Sequence, residues 1–131
     1  MRTRATYASV NVGAQLAPEG RSLNLEWADD AGDRTDAHEF EVATADPRDA
    51  FLGVQAFDVS EYGHELLLND DPLSGFDIPP GDGWQYWVDS VTGASLTRGT
   101  NTLEVARDTD TRDAFAVGTV WVNWKAPVDE E

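Results

Sequence analysis

The sequence predicts an all-β fold: two antiparallel sheets, about eight strands in all, packed face to face as a sandwich or jelly roll. Three observations predict it. Apolar residues recur at every second position, and no stretch carries the three-to-four spacing of a helix. Clusters of Gly, Pro, Asn and Asp cut the chain into short runs, as hairpin and sandwich connections do. No segment has the length and patterning of the crossover helix that a parallel sheet requires. The 131 residues, 40% of them hydrophobic with five Trp, five Phe and three Tyr, fill one core, whereas two cores would each be too small. Residues 1–131 are therefore expected as one domain, with 1–5 and 126–131 as frayed ends.

Taken in order, the first strand sends Ala8, Val10, Val12, Ala14 and Leu16 one way and Tyr7, Ser9, Asn11 and Gln15 the other. A turn at Pro18-Glu19-Gly20 leads to a second strand, in which Leu23, Leu25 and Trp27 alternate with Ser22, Asn24 and Glu26. After an acidic loop from Asp29 to Asp36, His38, Phe40 and Val42 alternate with Glu39 and Glu41. Ala50 to Val59 has apolar residues on both parities, which predicts a central strand covered on both sides. His64 to Leu68 is the next strand. Asn69 to Gly83, with Pro72, Pro79 and Pro80, is a long loop containing an extended piece at Phe76 to Ile78. Trp84 to Val88 is aromatic and strand-like, Leu103 and Val105 open another strand, and Phe115 to Trp124 is the last. In that last strand Val120, Val122 and Trp124 share one parity while Phe115 and Val117 fall on the other, so Gly118 is expected to be a bulge that switches parity.

Charge points to the solvent. The net charge is -16, from 25 acidic against 9 basic residues; Asp outnumbers Glu sixteen to nine, and Lys125 is the single lysine beside eight Arg. In dilute buffer such self-repulsion opposes folding, whereas at about 1 M salt the screening length falls to about 3 Å. The acids are dispersed over nearly every loop. This composition resembles that of proteins from extremely halophilic archaea, and a high-salt cytoplasm is the expected location. The alternative, an acidic partner for basic proteins, would gather its charge in one block. The same charge argues against direct nucleic-acid binding, which needs a basic footprint. No apolar run is long enough for a membrane span, and the basic N-terminus lacks the apolar stretch of a signal peptide.

Glu65-Leu66-Leu67-Leu68-Asn69-Asp70-Asp71 and Leu96-Thr97-Arg98-Gly99-Thr100-Asn101-Thr102-Leu103-Glu104-Val105 together resemble the galactose-binding-domain-like β-sandwiches. Those domains show a hydrophobic strand ending in Asn, then a Leu-x-x-Gly-x-Asn-x-Leu-x-Val segment entering a strand. The likeness covers residues 50 to 125. Gly99 takes a positive φ without steric cost, Asn101 satisfies backbone groups in the turn, and Leu103 and Val105 face the core. The resemblance implies a jelly-roll sandwich. Many of its members bind sugars through loops at one end; others brace catalytic domains, oligomerise, or bind lipid or protein. It assigns no ligand residue here, because the sites of that superfamily vary in position.

Aromatic rings stack on sugars, so Trp84-Gln85-Tyr86-Trp87 is the first candidate: Trp84 and Tyr86 must point opposite to Trp87. One face is core, and the other is either a binding platform or packed beneath the preceding loop. Trp121 and Asn123 form a second candidate, either an outer-face ligand or subunit contact or the inside of a covered sheet. Asp70, Asp71, Asp77 and Asp82 are candidate ligands of a structural calcium ion, such as related sandwiches often hold. Asp108 to Asp113 has the early spacing of a calcium loop but lacks Gly at its sixth position and a carboxylate at its twelfth, Thr119. No other cofactor is expected. With no Cys there is neither disulfide nor thiolate site, and His38 and His64 are too few for zinc without carboxylate help. His38, on an apolar parity, is expected to be a hydrogen-bonded core or interface residue. No nucleophile elbow and no phosphate-binding glycine loop occurs, so catalysis is not expected. The expected function is a non-catalytic binding module with a carbohydrate or protein ligand. The alternative is a structural protein that self-assembles into a homo-oligomer or joins a larger particle.

Overall fold

A computed structural model describes residues 2–128. Nine strands and no helix make up these residues: β1 (Thr3–Leu16), β2 (Asp29–Gly32), β3 (His38–Val42), β4 (Arg48–Phe57), β5 (Glu65–Leu68), β6 (Asp71–Pro72), β7 (Trp84–Ser90), β8 (Gly99–Ala106) and β9 (Phe115–Pro127). They form a five-stranded sheet, ordered β2-β1-β9-β4-β7, and a four-stranded sheet, ordered β3-β8-β5-β6. The architecture is the two-sheet jelly roll that the alternation predicts. Its pairings are antiparallel except for β1 with β2.

The core lies between the sheets. Val10, Leu52, Val54, Val120 and Val122 from the larger sheet meet Phe40, Val42, Leu66, Leu68, Leu103 and Val105 from the smaller. Each such buried side chain contributes about 1.5–3 kcal/mol relative to exposure. The long loop after β6 is more than a connection: Leu73, Phe76 and Ile78 fold back into the same core, although Phe76 to Ile78 forms no strand.

Asn69 and Asn101 explain why the two motifs of the resemblance sit where they do. Asn101 is fully buried. Its Oδ1 accepts from the Thr97 amide at 2.9 Å, and its Nδ2 donates to the carbonyls of Thr97 (2.8 Å) and Gly99 (3.0 Å). Asn69, at φ 51°, donates to Asn101 Oδ1 at 2.8 Å and accepts from the Thr102 amide at 2.9 Å. The two amides thus satisfy the backbone of the turn that launches β8, where Gly99 has φ +98°. A second polar tie holds the opposite end. Asp113 Oδ2 accepts from the amides of Ser60 (3.0 Å) and Glu61 (3.1 Å) and from His64 Nε2 (2.7 Å), while His64 Nδ1 accepts from the Asp108 amide at 2.9 Å. An imidazole that accepts at Nδ1 is neutral, so Nε2 carries the proton given to Asp113. Arg34 pairs with Glu104 at 2.6 Å, and that hydrogen bond, followed by the carboxylate's charge, holds the guanidinium above its ordinary range.

Several sequence expectations need correction. Leu23 to Trp27 is a loop, because Asn24 takes φ 54° and the Leu25 carbonyl, with that of Ala28 just beyond, turns to the Gln15 side chain. Part of the expected acidic loop becomes β2. Residues 3–5, expected to fray, pair with residues 125–127; 129–131 lie outside the described residues. The bulge at Gly118 is present. Opposite β4, the step from Val54 to Ala56 spans Val120 to Val117 on β9, so β9 carries the extra residue and its core-facing parity changes there. Among the described residues no second layer covers the outer face of β4: Phe51 is 41% exposed.

Candidate functional site

The outer face of the five-stranded sheet carries the candidate site. Strands β1, β9, β4 and β7 lie side by side, and period-two alternation brings their non-core residues to one surface. Pairing sets these residues in rows. Tyr7, Asn123, Phe51 and Ser90 stand in one row; Ser9, Trp121, Gly53 and Val88 stand in the next. Gln55 and Tyr86 pair in a further row, followed by Phe57 with Trp84. None of these residues is an Asp, Glu, Lys, Arg or His.

Two glycines shape the surface. A Cβ on Gly53 would lie 1.8 Å from Tyr86 Oη and 2.4 Å from its Cζ, so the absent side chain lets the Tyr86 ring lie across β4. There it meets Trp121 of β9 edge-on, with ring centres 5.6 Å apart. At Gly118 a Cβ would lie 2.9 Å from Gln55 Oε1, so the bare backbone makes room for the Gln55 amide, while the Trp84 ring edge, 3.4 Å away, is in ordinary contact. Trp84 packs against Phe57 (5.1 Å) and against Trp27 of the β1–β2 loop (5.2 Å).

The result is a groove of about 660 Å³ lined by Tyr7, Phe51, Gln55, Trp84, Gln85, Tyr86, Trp121 and Asn123. That volume lies within the range of about 300–1,000 Å³ usual for small-ligand sites. Its rings are open to solvent: Tyr7 is 64% exposed, Trp84 53% and Tyr86 55%. Gln55 Oε1 is held by the Thr119 amide at 3.1 Å, and Asn123 Nδ2 donates to the Trp121 carbonyl at 3.3 Å. The outward halves of both amides, Gln55 Nε2 and Asn123 Oδ1, make no hydrogen bond among the described residues. Aromatic faces with neutral amides between them can stack on a flat apolar face and exchange hydrogen bonds with hydroxyls.

Of the residues the sequence singles out, Trp84, Tyr86, Trp121 and Asn123 come together here. Trp87 does not. It turns inward and packs against the core, with its Nε1 buried and unpartnered among the described residues. Asp70, Asp71, Asp77 and Asp82 are not gathered into a metal site: among the described residues no three His, Asp or Glu side chains are placed to hold an ion, and Asp77 Oδ1 already accepts the Gly63 amide at 3.0 Å. His38 is half-buried, its Nδ1 2.9 Å from the Asp36 carbonyl oxygen. Sequence reasoning missed Tyr7, Phe51, Gln55 and Trp27. The parity of Tyr7 with Ser9 and Asn11, and of Phe51 with Gln55, was the signal for the first three. Trp27 gave none, since its strand does not form.

Residues 4–126 match DUF7383, a family of unknown function, and the chain belongs to that family. No curated protein matches the chain. Among solved structures it is similar to the crystal structure of a Podospora anserina GH26-CBM35 β-(1,4)-mannanase, with 13% identity and a TM-score of 0.54. The match covers 92% of this chain and 28% of the mannanase chain. The chain therefore spans little more than a quarter of that enzyme's length. The likeness is one of fold, and it agrees with the galactose-binding-domain-like jelly roll.

Proposed function

We propose that this DUF7383 member is a non-catalytic binding module that takes carbohydrate on the aromatic outer face of its five-stranded sheet. The single observation that carries the reading is the open groove in which Trp84, Tyr86, Trp121, Tyr7 and Phe51 alternate with Gln55 and Asn123. Rings supply the flat apolar contact, and amides supply directional bonds at neutral cost in charge. The jelly-roll neighbour contains a carbohydrate-binding module of a mannanase, which makes β-(1,4)-mannan oligosaccharides the first probes. We also read the -16 charge as adaptation to molar salt, so binding is to be measured in concentrated KCl. A glycan array in about 1 M KCl, followed by tryptophan fluorescence titration of the hits, tests the proposal. Saturable hits with a fluorescence change are expected; an array without hits and an unchanged spectrum would contradict it.

The exposure of Trp27, Phe51, Trp84, Tyr86 and Val88 on one face also favours a second reading, in which this surface buries itself against another copy. Light scattering distinguishes them. A monomer across about 1–4 M salt excludes self-assembly, and a concentration-dependent dimer that sugars do not dissociate excludes the glycan reading of this face.

A further inference from the structure

We propose that the aromatic groove selects uncharged glycans and rejects their carboxylated counterparts. This rests on the reading of the face as a glycan site and names the class of glycan it takes. In a chain in which 26% of residues are charged, the groove is lined, among the described residues, by no Asp, Glu, Lys, Arg or His. A carboxylate placed there would shed water without meeting a cation, a cost that salt does not remove. The cations closest along the strands are already matched: Lys125 lies 3.5 Å from Asp49, and Arg48 lies 2.7 Å from Asp46.

The surroundings act in the same direction. A second groove of about 610 Å³ shares Phe51 with the first and is lined by Asp49 and Asp89, so an extended chain running that way meets carboxylates. The net charge of -16 adds a longer-range repulsion that shrinks as the screening length falls to about 3 Å at 1 M salt. Within the groove, Gln55 Nε2 can donate to a hydroxyl or a carboxylate alike, whereas Asn123 Oδ1 suits a hydroxyl, which can donate to it, and repels a carboxylate, which can only accept. Discrimination therefore has two components: one that salt screens and one that it does not.

Matched pairs of oligosaccharides test this by calorimetry on the full chain at about 0.1 M and about 2 M KCl. β-(1,4)-mannohexaose is paired with the β-(1,4)-mannuronan hexamer, and cellohexaose with its C6-carboxylated form. Each pair differs only in CH2OH against COO⁻. The neutral member is expected to bind, with the acid at least about tenfold weaker even in 2 M salt and weaker still in 0.1 M. Asn123→Arg, which puts a cation on the groove floor, is expected to narrow that ratio at both salts. Equal affinities within each pair at 2 M or a preference for the acids would overturn the selectivity, and an unchanged ratio in Asn123→Arg would overturn its stated cause, the missing cation; each leaves the binding function standing. No binding by either member of either pair would instead remove the glycan reading itself, and the selectivity with it.

Discussion

Gly53→Ala separates the stability of this fold from the shape of its surface. The added Cβ would lie 1.8 Å from Tyr86 Oη, 2.4 Å from Cζ and 2.8 Å from Cε1, so the ring must leave. It can, because these atoms are the far end of a side chain that is 55% exposed. Departure loses the edge-on contact with Trp121 at 5.6 Å, worth about 0.5–1.5 kcal/mol. Alanine in place of glycine restricts the unfolded chain and returns about 0.4–1 kcal/mol, and Gly53 does not need a positive φ. The two nearly cancel, so the thermal midpoint should stay within about 4 °C of wild type. Binding should not stay. Turning one aromatic wall out of the groove is expected to weaken β-(1,4)-mannohexaose about tenfold by calorimetry, the loss of one well-placed aromatic anchor. Adding Tyr86→Ala to Gly53→Ala should then cost little more, because the ring has already gone. A loss of more than about 3 kcal/mol in stability would show that the ring cannot move. Unchanged affinity would show that its position does not matter.

Two further outcomes follow from the polar ties and the charge. Asp113→Ala leaves the amides of Ser60 and Glu61 and the His64 Nε2–H buried without their acceptor, and should destabilise by about 3–5 kcal/mol in urea unfolding; a change below about 1 kcal/mol would mean that the Asp113 tie does not hold this end together. The thermal midpoint of the wild type should rise as KCl goes from about 0.1 M to about 2 M, and an unchanged midpoint refutes the high-salt reading of the -16 charge.

The fold was largely legible because alternation is a local signal. β3, β8 and β9 each show their buried face in the order of their residues, and even the parity switch at Gly118 could be read from Val117 and Val120. What failed was decided by distant partners. Leu23 to Trp27 alternates as a strand should, yet its backbone hydrogen bonds are local, Asn24 N–H to Ser22 Oγ and Ala28 N–H to the Leu25 carbonyl, or come from the Gln15 side chain, which donates to the Leu25 carbonyl, rather than from a neighbouring strand. The site was legible only in halves. Trp84 and Tyr86 declare a shared face, as do Trp121 and Asn123, but nothing in either segment says that β4 lies between them or that Gly53 clears the space for Tyr86 to reach Trp121. The four aspartates show the converse: acidity makes carboxylate ligands look common, while only the fold decides whether three converge.

The five tryptophans divide cleanly between the two sides of the larger sheet. Trp27, Trp84 and Trp121 belong to the outer face, whereas Trp87 and Trp124 belong to the core. Labelling with 5-fluorotryptophan, assigning each fluorine resonance by single Trp→Phe variants, and titrating with β-(1,4)-mannohexaose in molar KCl reads both sides in one experiment. The resonances of Trp84 and Trp121 should shift saturably, with Trp27 following through its contact with Trp84, while those of Trp87 and Trp124 stay fixed. Shifts confined to Trp87 and Trp124, or outer-face resonances that do not move at saturating sugar, would contradict the assignment of binding to this face.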